Sequence, residues 1–86
     1  EIDPDDAFSW LSLARVQMQQ RLTKDAADSI EKFVTVFSNR SDFDLNAAVQ
    51  TLGIFELACK NAGDFESAER LKARSQKIMA EAQPGR

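Results

Sequence analysis

Along the chain, stretches in which apolar residues return every three or four positions are separated by short polar breaks, the pattern of amphipathic helices. Ala7, Trp10, Leu11, Ala14 and Met18 make the first such face. It predicts a helix that opens after Asp5 or Asp6 and runs to about Arg21, because those carboxylates cap free N–H groups and face the positive end of the dipole. Thr23 then reads as the N-cap of a second helix, which carries Ala26, Ala27, Ile30, Phe33, Val34 and Phe37 and ends near Asn39. With only about two residues between them, the two helices must fold back as an antiparallel hairpin.

Ser38-Asn39-Arg40-Ser41-Asp42 is the longest polar break, and Ser41 with Asp44 resembles a capping box opening a third helix. That helix holds Leu45, Ala47, Ala48, Val49, Leu52, Ile54, Phe55, Leu57, Ala58 and Cys59, apolar nearly all round, and is therefore expected to be central and covered on several sides. Gly63 is placed to take the left-handed conformation that stops it. Asp64 caps a fourth helix with Phe65, Ala68, Leu71, Ile78 and Ala82 inward and Arg70, Arg74 and Lys77 toward water; Gln83 to Arg86 is expected to fray. The expectation is a single all-α domain of two antiparallel helical hairpins, residues 6–39 and 44–82, stacked as a repeat pair or as a compact four-helix array.

The two halves answer to one another. Trp10-x-x-Leu13-Ala14 followed by Ala26-x-x-x-Ile30 corresponds, 42 residues on, to Leu52-x-x-Phe55 followed by Gly63-Asp64-Phe65-x-x-Ala68. A fixed period in a helical chain marks stacked helix pairs, each leaving a face for a neighbour or a ligand.

Composition narrows the function. At 86 residues the chain builds one domain, and 43% hydrophobic and 29% charged residues with three Gly and two Pro describe an ordinary soluble helical protein. A net charge of −3 argues against nucleic acid as a partner, since phosphate binding draws on surplus Lys and Arg. The single Cys builds no disulfide framework, and the absence of His removes the commonest general base and metal ligand, so no metal and no cofactor is expected. No run approaches the length of a membrane span, and the expected setting is cytoplasmic.

The residues resemble a tetratricopeptide repeat. Asp3-Pro4-Asp5-Asp6-Ala7-Phe8-Ser9-Trp10-Leu11-Ser12-Leu13-Ala14 is similar to the family's junction between repeats, and Asn61-Ala62-Gly63-Asp64-Phe65-Glu66-Ser67-Ala68 to its turn, where Gly closes the first helix and a small Ala lets the second pack closely. Departures are several: the family's Gly is Ala14 and Glu56 here, its Tyr is Gln17 and Cys59, and Lys72 and Ser75 replace an aromatic and a small residue. The 42-residue period also exceeds the family's usual period of about 34.

The resemblance implies an inner face made by Phe8, Leu11, Ser12, Arg15, Met18 and Gln19 from helix one and Gln50, Gly53, Ile54, Leu57, Lys60 and Asn61 from helix three. On it, Arg15 and Lys60 would hold carboxylates of a protein or peptide partner while Leu11, Met18, Ile54 and Leu57 receive its apolar side chains; the alternative is that these apolar residues are core. Leu11 and Ser12 stand where two residues of the family's chaperone-tail clamp belong, so that clamp is not expected. Gly53 admits either a close approach by backbone or ligand, or tight packing of helix one or four.

A basic stripe on helix four, Arg70, Arg74 and Lys77 with Lys72 nearby, reads as a solvated face in which Glu66 pairs with Arg70, or as a contact for an acidic segment, including one of a second copy. Catalytic patterns fail: Ser29-Ile30-Glu31-Lys32 has the spacing of penicillin-recognising enzymes without their partner motifs, and Cys59 lies at a core position without His. The glycosylation triplet Asn39-Arg40-Ser41 is expected to be unused. The chain is thus expected to be a non-enzymatic protein-binding scaffold. Its rivals are a structural segment that docks onto neighbouring repeats or self-associates, and a helical regulator touching nucleic acid through the Arg70 to Lys77 stripe.

Overall fold

The structure, a computed structural model, describes residues 5–81. The expectations for Asp3, Pro4, Ala82 and the 83–86 tail lie outside them. Four helices follow in order: α1 (Ala7–Gln19), α2 (Thr23–Phe37), α3 (Leu45–Asn61) and α4 (Phe65–Glu81). Helices α1 and α2 pack as one hairpin and α3 and α4 as the other, so the fold is all-α as the periodicity predicts.

Asp6 caps α1: the Phe8 N–H donates to Asp6 Oδ1 at 3.1 Å and the Ser9 hydroxyl to Asp6 Oδ2 at 2.9 Å. The helix stops at Gln19, not Arg21. Arg21 takes a left-handed φ of 63°, its N–H donates to the Met18 carbonyl at 3.0 Å, and the Leu22 N–H reaches back to the Gln17 carbonyl at 2.8 Å. That pair of bonds is a Schellman motif. It recurs 42 residues on, where Gly63 has φ 86°, its N–H donates to Lys60 O at 3.0 Å and the Asp64 N–H to Cys59 O at 2.9 Å.

Two expected caps move. Thr23 is the first residue of α2 and its hydroxyl is turned to Asp64, while Leu22 holds the cap position and has no side-chain acceptor to offer. Helix α3 is capped by Asp44, which accepts from the Asn46 and Ala47 N–H groups at 3.0 and 3.4 Å, so Ser41 opens no capping box. Phe43 supplies the edge-on ring that Phe37 packs against at 5.2 Å, anchoring the connection.

The central helix is α2, not α3. It packs against α1, α3 and α4 and buries Ala26, Ala27, Ser29, Ile30, Phe33, Val34 and Phe37, whereas α3 buries only Ala48, Leu52, Phe55 and Cys59 along one face. The remaining apolar residues of α3 look outward: Ile54 is 67% and Leu57 59% exposed. Fully enclosed Ile30, Leu52 and Leu71 each contribute about 1.5–3 kcal/mol by leaving water. Buried Ser29 is satisfied by donating to Gln17 Oε1 at 2.7 Å.

On α4, Ser67, Ala68, Leu71 and Ile78 are buried. Phe65 is not, at 64% exposed, because it lies about a third of a turn away from the line through Leu71 and Ile78. Contacts between α2 and α4 pair Lys24 with Glu66, Asp28 with Arg70 and Thr35 with Arg74, in rising order on both helices. The two helices are therefore parallel, which makes α1 and α3 parallel too. The whole is a flat slab, 40 × 29 × 14 Å across its Cα atoms.

Candidate partner-binding cleft

Helices α1 and α3 scarcely approach one another, and the gap between them is a cleft of about 370 Å³ lined by Arg15, Met18, Gln19, Ile54, Phe55 and Ala58. Toward the hairpin turns it adjoins a second depression of about 340 Å³ that shares Met18, Gln19 and Ala58 and adds Arg21, Asn61 and Ala62. Spacing explains the α3 side: Ile54, Ala58 and Asn61 recur at four and three positions, one stripe of a helix. Small Ala58 between longer neighbours makes the hollow.

No carboxylate lines either depression, although the protein as a whole is acidic. The guanidinium groups of Arg15 and Arg21 make no hydrogen bond or ion pair among the described residues. The surface thus combines exposed apolar groups, two amides and two guanidinium groups without a counter-charge.

Of the twelve residues expected on the inner face, Arg15, Met18, Gln19 and Ile54 line the cleft and Asn61 lines the adjoining depression. Leu57 and Gln50 are exposed on α3 beside it, Leu57 directly facing solvent. Leu11 is half-buried and packs against the core. Phe8 sits at the far end of α1 in an aromatic cluster, 6.1 Å from the Phe33 ring and 5.9 Å from Phe37, with the Arg40 guanidinium 5.2 Å over its face. Lys60 points away from the cleft and pairs with Glu56 at 3.6 Å. Phe55, Ala58, Arg21 and Ala62 are lining residues that sequence reasoning missed; the four-residue step from Ile54 was the available signal for Ala58.

Gly53 is neither a close approach within the chain nor a packing notch. A Cβ built on it meets nothing within 4 Å.

The basic stripe of α4 is largely exposed, but its arginines are partnered by α2. Arg70 Nη2 donates to Asp28 Oδ1 at 2.7 Å and to Glu31 Oε2 at 2.6 Å, and Arg74 Nη2 donates to Thr35 Oγ1 at 2.8 Å, so both arginines belong to the seam between the hairpins. Glu66 pairs with Lys24 at 2.8 Å rather than with Arg70. Its carboxyl is held below the ordinary range by that bond, and Lys24 is raised in turn. Lys77, and Lys72 beside the stripe, stand in solvent without a partner among the described residues.

Neither apparent catalytic pattern is built for chemistry. Ser29 is committed to Gln17, and Lys32 Nζ lies 5.6 Å from the Trp10 ring centre in a cation–π contact. Cys59 is fully buried, and burial pushes its thiol up, away from the reactive thiolate. Among the described residues no helix is long and apolar enough to cross a membrane.

No protein-family model, curated protein or solved structure matches the chain.

Proposed function

We propose that this chain is a non-catalytic protein-interaction module, a divergent relative of tetratricopeptide repeats, that binds a segment of a partner protein over the cleft between α1 and α3. The observation that carries the reading is the cleft itself, where exposed Ile54 lies opposite Arg15, an arginine without a counter-charge, in a lining free of carboxylates. An apolar surface rimmed by unneutralised cations suits a partner with apolar side chains and carboxylates. The matching Schellman turns 42 residues apart support the repeat reading, and one buried, unpaired cysteine suits a cytoplasmic setting.

Docking of further hairpins has less support. The stripe that buries α2, Ala27, Ile30 and Val34, has Glu69, Lys72 and Gln76 as its counterparts 42 residues later, and these are exposed on α4. Contact with nucleic acid has less still, since Arg70 is already neutralised by Asp28 and Glu31.

A photo-cross-linking residue at Ile54, with Phe65 as an equally exposed control outside the cleft, tests the reading in cell extract. Capture of one saturable partner at position 54, absent at 65 and lost on adding Arg15→Glu, is expected. Equal yields at both positions, or none at 54, overturn it.

A further inference from the structure

We infer that the segment held by the cleft is an amphipathic α-helix lying antiparallel to α1 and α3, with acidic residues in its first turn set against Arg21. The inference rests on the cleft being the binding face proposed above and concerns what fills it.

The first step concerns backbone groups. Both walls are helices whose N–H and C=O groups are already used within them, so the cleft offers no edge for strand pairing. An extended segment would find only the side-chain amides of Gln19 and Asn61 and the guanidinium donors of Arg15 and Arg21, with no row of backbone groups to satisfy its own main chain. A helix arrives with its backbone bonds made and needs only an apolar stripe. From Ile54 to Ala62 the α3 wall is about 12 Å long, which two turns of a ligand helix would cover, with apolar residues three and four apart over Met18, Ile54 and Ala58.

Direction follows from charge. Because α1 and α3 are parallel, both end at the same mouth of the cleft, at the Schellman turns around Arg21 and Gly63. Two helix C-termini put partial negative charge there, and the positive N-terminus of an incoming helix complements it. Arg21 stands at that same mouth, with Arg15 about 9 Å further along α1, and carboxylates in the first turn of the incoming helix would meet Arg21. A helix of the opposite direction would bring its own negative end to two others.

Three synthetic 12-residue probes decide the matter: a lactam-stapled helix with leucines at helical spacing and two glutamates in the first turn, the same helix with the glutamates in the last turn, and a proline-interrupted, non-helical peptide of the first composition. The first is expected to bind about tenfold tighter than the second, with backbone amide shifts at Met18, Ile54 and Ala58, and Arg21→Glu is expected to abolish its advantage. Equal or reversed affinity of the two helices overturns the orientation. Tighter binding of the proline peptide at the same amides overturns the helix while leaving the binding face intact, whereas shifts confined to other residues, or no binding by any probe, overturn both.

Discussion

The Thr23 hydroxyl donates a 2.7 Å hydrogen bond to Asp64 Oδ2, tying the first residue of α2 to the residue that caps α4. The same carboxylate accepts the Ser67 N–H at 3.1 Å, and the Asp64 N–H closes the Schellman turn of α3. One residue therefore ends one helix, starts the next and joins the two hairpins. Asp64→Ala is expected to cost about 1–2 kcal/mol, the upper part of the range for a lost cap, measured as a fall in the urea midpoint at neutral pH.

Acid should reveal the same residue. The Ser67 hydroxyl, the Thr23 hydroxyl and the Ser67 N–H, in that order, hold the Asp64 carboxyl down from 3.8 to about 2. The Ser67 Oγ lies outside hydrogen-bonding geometry, so its part is that of a nearby dipole and the directed bonds are the other two. A carboxyl lowered on folding contributes stability above its unfolded pKa and loses it as pH falls toward the folded value. The stability gap between the native protein and Asp64→Asn is thus expected to hold from pH 7 to about 4 and to shrink between 3.8 and about 2. Denaturation curves at four pH values across that window would show a constant gap if Asp64 played no such part.

Across the seam, Arg70 bridges Asp28 and Glu31 but remains 40% exposed, so its pairs are screened by solvent. Arg70→Gln is expected to destabilise by less than about 1 kcal/mol, with the difference disappearing in 1 M salt. A loss of several kcal/mol that salt leaves unchanged would mean the seam works as packing, not as charge.

Much of this fold was readable because strong local rules agreed with tertiary packing. Asp6, Gly63 and Asp64 act in the turns and caps where their chemistry predicts, and α2 and α4 show their buried stripes in the spacing of apolar residues. Arg21 defeated the reading because it adopts the left-handed conformation without being glycine, so nothing marked the end of α1. Helix α3 defeated it differently: a helix apolar on two faces looks central, and only the packing tells that Ile54 and Leu57 have nothing over them. The seam was legible in principle. Lys24 with Glu66 and Asp28 with Arg70 are opposite charges at positions 42 apart, but pairing across repeats cannot be separated from pairing along α4 until the helices are placed.

Ala68 is 1% exposed, one turn after the cap that starts α4. Small size is what lets α4 lie close to the rest of its hairpin. Ala68→Leu is expected to overpack this contact at about 1–3 kcal/mol, lowering the melting temperature by about 4–8 °C per kcal/mol in a domain of this size. An unchanged melting temperature would contradict the close packing at this turn.

Gly53 offers the reverse case, a substitution expected to help. It lies in the middle of α3, exposed, with nothing within 4 Å of where a Cβ would be. A helical glycine without a packing duty only adds conformational freedom to the unfolded chain, so Gly53→Ala is expected to stabilise by about 0.5–1 kcal/mol. Gly53 is also absent from the lining of the cleft. The stabilised variant should therefore keep the cross-linking yield at Ile54, because the added methyl lies outside the space a partner would enter. Denaturant unfolding and cross-linking of the one variant separate the outcomes. Higher stability with unchanged capture is expected; higher stability with lost capture would show that the bound segment extends over Gly53, and lower stability would show that α3 needs the glycine for its own conformation.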